Sequence, residues 1–123
     1  MEESFTDQVY KVCKEDRRYP FEAYMFVSNA LEYAAYGDKP RHGSGAELLV
    51  AGILEYAISE FGAMAWSVFD QWGTRTSDDF GDIVYNLVNR GIWRKTEEGS
   101  REDFSGILDF KSAFSDEIDS IYE

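Results

Sequence analysis

The stretch "SGAELLVAGILEYAISEFG", residues 44–62, decides how the rest of the chain must be arranged. Leu48, Leu49, Val50, Ile53, Leu54, Tyr56, Ala57, Ile58 and Phe61 leave it no wide polar face, and a helix of that kind is surrounded by protein. Ser44 and Glu47 open it as an S-x-x-E capping box. The hydroxyl accepts from the Glu47 N–H and the carboxylate reaches back to the Ser44 N–H. Its longest apolar run is about a dozen residues with Glu55 inside, short of the roughly 20 that a bilayer crossing requires. The reading is a central, buried helix onto which the other elements pack.

Upstream, Phe5, Val9, Val12 and Cys13 recur at helical spacing and predict a first helix over 4–16. "RRYP" follows, with Pro20 suited to the first turn of a second helix ending at Gly37. Downstream, Gly62 interrupts and "AMAWSVFDQWG" predicts a fourth helix closed by Gly73. A fifth begins at "TSDDF", capped by Thr76 or Ser77. Asp78 and Asp79 favour the positive end of its dipole, and Phe80, Ile83, Val84, Leu87 and Val88 form its apolar stripe. After Gly91, "IWRK" and "FSGILDF" read as short strands joined by a turn at Gly99. Phe114, Ile118, Ile121 and Tyr122 space a short last helix or acidic tail over 111–123.

This order predicts one domain over 1–123, mainly α, with five or six helices and a small C-terminal β-hairpin. Residues 1–62 would be N-terminal helices. Residues 63–110 would be a helix-turn-helix plus hairpin, winged-helix-like in form. The outward face of its recognition-helix equivalent would carry Asp79, Asp82, Tyr85, Asn86 and Asn89. Carboxylates there oppose the phosphate attraction that dominates duplex affinity, so nucleic acid is not the expected partner.

Charge points the same way. The chain carries 24 acidic and 12 basic residues, net −12. Residues 96–123 alone hold nine acids and two bases, net −7. A polyanion is repelled by nucleic acid and by anionic membrane surfaces. Aromatics at 16% of residues predict a well-packed core. Cys13 is the chain's one cysteine, which suits a reducing compartment, and "MEESFTDQ" lacks the basic start and apolar run of a signal peptide. The expectation is a cytoplasmic protein with no membrane partner.

The segment Arg41–Glu47 holds the chain's one histidine. Ser44, His42 and Glu47 supply the residue types of a catalytic triad, but they are crowded onto one turn, and the serine and glutamate already cap a helix, so no catalytic residue is assigned. A different chemistry fits better. Arg41, His42, Gly43, Ser44 and Gly45 would place a cation and exposed backbone N–H groups around a small anion such as phosphate or a nucleotide. The alternative is that Arg41 and His42 pair with the chain's own carboxylates and tie the loop to the helix start. No metal site is expected, because His42 and Cys13 stand 29 residues apart and match no zinc spacing, and no cofactor is expected either. Trp72 and Trp93 lie near predicted element ends and are candidate anchors for a protein partner. The leading expectation is a non-catalytic, acidic protein-interaction module. The alternative is an anion sensor.

From Ala23 to Phe104 the chain also resembles a conserved bacterial family, catalogued as hypothetical proteins of planctomycetes and verrucomicrobia. The shared pattern is an aromatic-rich helix, then "RHxSGxELL", "yAxxxFG", "WG", "T.DfGxiVfnLv", "KTxeD" and a closing "DF". Arg41, His42, Ser44, Gly45, Glu47, Leu48 and Leu49 match the second element. Phe61–Gly62, Trp72–Gly73, Phe80–Gly81, Ile83–Val84, Asn86–Leu87–Val88 and Lys95–Thr96 match those that follow. Gly99 and Ser100 depart from it, where an acidic residue is expected. The resemblance implies bacterial origin and a compact single domain, and it implies no activity.

Overall fold

The computed structural model describes residues 3–35, 45–93 and 101–122. Six α-helices and two single-turn 3-10 helices account for most of them. Helix α1, Phe5–Glu15, starts where the Ser4 hydroxyl accepts the Asp7 N–H at 3.1 Å, and it buries Val9 and Val12. Helix α2, Phe21–Ala35, follows Pro20, whose carbonyl accepts the Ala23 N–H. Helix α3, Gly45–Phe61, is the apolar central element. A 3-10 turn, Gly62–Met64, redirects the chain into α4, Ala65–Trp72. Gly73 ends α4 at φ 79°, a left-handed conformation that a side chain resists. Helix α5, Ser77–Asn89, starts at Thr76, whose N–H is accepted by the Asp79 carboxylate at 3.1 Å. After a 3-10 turn at Arg101–Phe104 comes α6, Phe110–Tyr122.

Helices α2 and α3 run antiparallel in close contact. Gly52 faces Ala30 and Ala34, and further along Phe61 meets Phe26. The absence of a Cβ at Gly52 is what permits this approach. A methyl built there would lie 2.7 Å from the Ala34 Cβ. The second organising contact is Phe69 on α4, which is fully buried. Its ring centre lies 5.0–5.9 Å from those of Phe26, Trp72, Phe80, Phe110 and Phe114. Three other helices, α2, α5 and α6, therefore meet α4 on one side chain.

The expected C-terminal β-hairpin is not present among the described residues, and the winged-helix reading falls with it. The backbone shows why. The N–H groups of Ile92 and Trp93 both return to the Leu87 carbonyl, at 2.9 and 3.0 Å, and finish α5 instead of entering a ladder. The expected return strand is tied elsewhere. Its β character is reduced to one antiparallel bridge, Thr76 to Asp109, and residues 94–100 of the proposed wing lie outside the described residues. The outward face assigned to α5 is corrected too. Asp82 is 7% exposed and Asn86 half-buried, whereas Tyr85 is open to solvent.

One stretch among the described residues, Gly45–Trp72, is long and apolar enough to cross a membrane by length and composition. In the fold it is broken at Gly62, and α3 packs along α2. Of its most apolar window 33% is buried; Ala51 and Leu54 of α3 are half-buried and keep part of their surface open to solvent.

Candidate interaction groove

That half-buried flank forms one side of a groove of about 510 Å³. Val50, Ala51 and Leu54 line it from α3 with Glu47 at one end, and Ile107 and Leu108 form the opposite wall. The groove is open to solvent, and its described lining residues include no nucleophile and no cation.

What holds the second wall is Ser77, the first residue of α5, fully buried. Its hydroxyl donates to the Phe104 carbonyl at 2.6 Å and accepts the N–H groups of Ile107 and Leu108, each at 3.1 Å. Its own N–H donates to the Leu108 carbonyl at 2.9 Å, and the Phe110 N–H reaches the Arg75 carbonyl at 3.0 Å. A small hydroxyl bearing both donor and acceptor character is what this knot requires. It clamps residues 104–110 to the start of α5, with Ile107 and Leu108 set against α3.

The main polar cluster lies where the α1–α2 connection meets α5. The Tyr19 hydroxyl stands 2.9 Å from both the Asp79 and the Asp82 carboxylates, to which it donates. Arg18 grips Asp16 through Nε and Nη2, the latter at 2.6 Å, and touches Asp82 at 3.2 Å. The Asn86 amide donates to Asp16 at 3.0 Å and to the Tyr24 hydroxyl at 2.8 Å. Hydrogen bonding from Arg18 holds the Asp16 carboxyl well below its ordinary range, against the opposing effect of burial. Burial drives the Tyr19 hydroxyl strongly upward, and its two carboxylate partners add to the shift. Burial also pushes Tyr24 up to about 12, although the Asn86 amide acts the other way. These groups join sequence segments about 60 residues apart, and their hydrogen-bonding capacity is directed at one another. The cluster is a tie within the fold.

The other residues singled out in the sequence are scattered. Arg41, His42, Gly43 and Ser44 lie outside the described residues, and Gly45 is the first residue of α3. Trp72 is half-buried, with its ring 5.5 Å from Phe26 and 5.9 Å from Phe61 and Phe69. Trp93 is half-buried against the core. Cys13 is half-buried, and burial raises its thiol, with Glu22 and Asp16 adding to the effect. A raised thiol holds little thiolate near neutrality and is a poor nucleophile. Among the described residues no group of three or more His, Cys, Asp or Glu side chains is placed to hold a metal ion.

Sequence reasoning missed the groove wall and its clamp. The available signal was the adjacent pair Ile107–Leu108, because neighbouring aliphatics break the alternation that a half-exposed strand shows. No protein-family model, curated protein or solved structure matches the chain.

Proposed function

We propose that this chain is a non-catalytic protein-interaction module that holds a segment of a partner protein in the groove between α3 and Ile107–Leu108. The observation that carries the reading is the half-buried apolar flank of α3 at Ala51 and Leu54, faced across an open groove by a wall that Ser77 fixes in place. Apolar surface arranged as a bounded groove is the usual form of a recognition site. The polar clusters described above support the reading. Ser77, Tyr19, Asp79 and Asn86 are committed to internal hydrogen bonds. The net charge of −12 supplies solubility and long-range steering.

The test is affinity capture from a native lysate by the wild-type chain and by Leu54→Glu in parallel, with folding of both checked by circular dichroism. The module reading requires a protein retained by the wild type and lost with the variant. Identical sets on both, or none on either, would refute it.

A further inference from the structure

We infer that the groove receives an amphipathic, basic α-helix of the partner, its apolar stripe against Leu54 and Ile107–Leu108 and its lysines and arginines toward the acidic surroundings. This rests on the reading of the groove as a protein-docking site, and it adds the secondary structure and charge of what docks.

The first argument concerns the backbone of the occupant. An extended peptide gains affinity by adding its main chain to an exposed strand edge. The loop wall has little to offer such a peptide. The Ile107 and Leu108 N–H groups are already bonded to the Ser77 hydroxyl, and the Leu108 carbonyl accepts the Ser77 N–H. On the other side, the main chain of α3 from Val50 to Leu54 is bonded within its own helix. A docked segment must therefore bond its own backbone, and a helix does that.

Length and shape agree. From Glu47 to Leu54 is seven residues, roughly 10 Å along a helix axis. That is the span of apolar side chains at i, i+4 and i+7 on a docking helix. A small ligand fits less well, because small-molecule sites enclose most of the ligand's surface, whereas this groove is open along one side.

Charge selects among helices. Glu47 lines one end of the groove, no lysine or arginine is among its described lining residues, and the chain as a whole carries −12. A cationic helix is drawn toward such a surface, and an acidic one is repelled. The same field works against a second copy of this chain, since each copy carries −12.

The experiment uses fluorescence anisotropy with the full chain and three synthetic peptides about 15 residues long. One has leucines at i, i+4 and i+7 among lysines. The second has the same composition with the stripe scrambled, and the third keeps the stripe with glutamate in place of lysine. At about 150 mM salt the striped basic peptide should bind at least about tenfold more tightly than either control. Leu54→Glu and Ile107→Glu, on opposite walls, should each weaken it by about tenfold, although each adds a negative charge that favours a merely electrostatic contact. Amide shifts in a two-dimensional NMR titration should centre on Glu47–Leu54 and Ile107–Leu108. They serve as the criterion if either variant fails to fold.

Equal binding of the striped and scrambled basic peptides would overturn the inference, as would indifference to both variants in the folded state. Equal binding of the acidic striped peptide would remove the cationic partner and leave the groove. Stronger association with zwitterionic vesicles than with peptide, or a dimer that Leu54→Glu dissolves, would assign the groove to another occupant and end the proposal. If no peptide binds while lysate capture still depends on Leu54, the helix inference fails and the module reading stands.

Discussion

At the scale of single residues, the fold depends on a few polar groups whose replacement leaves partners stranded. Ser77→Ala removes one oxygen, yet it deprives the Phe104 carbonyl of a donor and the Ile107 and Leu108 N–H groups of an acceptor. A buried group left unsatisfied costs about 1–3 kcal/mol. Water can reach part of this loop, so the expected loss is about 3 kcal/mol, read as a lower urea midpoint. A loss under about 0.5 kcal/mol would show that the clamp contributes little. Asp16 gives a pH prediction with a definite sign. Its carboxyl is depressed in the folded chain from an ordinary 3.8. Its stabilising contribution is therefore present above about pH 4 and fades as pH falls through the folded value. Between pH 5 and pH 2.5 the melting temperature of wild type should fall further than that of Asp16→Asn, which has lost this titration. Tyr24 acts at the other end. Raised to about 12, it stabilises the fold fully below the ordinary value of 10 and loses that contribution as pH climbs toward 12. In an absorbance titration at 295 nm, Tyr24→Phe should lose part of the late, high-pH phase and leave the early phase unchanged.

At the scale of elements, the tightest constraint is the α2–α3 contact, where Gly→Ala has two opposing effects. Alanine favours a helix over glycine by about 1 kcal/mol. At Gly52, however, its methyl would stand 2.7 Å from the Ala34 Cβ, and both atoms are carried by rigid backbone. Overpacking of this kind costs about 1–3 kcal/mol and should win, so Gly52→Ala is expected to destabilise. Ala34→Gly in the same chain should restore most of the loss, and a double-mutant cycle measures the coupling. Additive effects would show that the two positions do not touch. The helices themselves were legible in the sequence because their determinants are local. Ser4 marks the start of α1, Pro20 precedes α2, Gly73 ends α4, and the Phe80–Leu87 stripe marks the buried side of α5. Residues 92–110 were not legible, because their fate depends on distant acceptors. "FSGILDF" has the composition of a strand, yet its N–H groups are taken by a serine 30 residues away in sequence. From sequence the polar face of α5 reads as solvent-facing for a similar reason. Nothing near Asp82 or Asn86 in sequence announces that Tyr19, Arg18 and Asp16 will meet them. The groove is not legible because it needs both of these long-range facts: where the 104–110 loop is anchored, and which flank of α3 the other helices cover only in part.

At the scale of the whole molecule, charge and apolar surface set different ranges. Ion pairs among the described residues are short, such as Arg18–Asp16 at 2.6 Å, Arg75–Asp70 at 2.8 Å and Arg18–Asp82 at 3.2 Å. The excess of 12 negative charges acts over the full width of the molecule. Salt separates the two. The screening length is about 30 Å at 0.01 M ionic strength and about 8 Å at 0.15 M, and a chain of this size is a few tens of ångströms across. At low salt each carboxylate therefore repels nearly all the others. At higher salt that long-range repulsion is largely removed, while these short contacts lie inside the screening length throughout. Raising sodium chloride between those concentrations should thus stabilise the folded chain. A gain near 1 kcal/mol corresponds to a rise in melting temperature of about 3–6 °C for a domain of this length. Potassium chloride should give the same rise, since the argument depends on ionic strength alone. A fall in melting temperature over that range would mean that the short ion pairs outweigh the net charge. The steering assigned to the acidic surface around the groove would then have lost its physical basis.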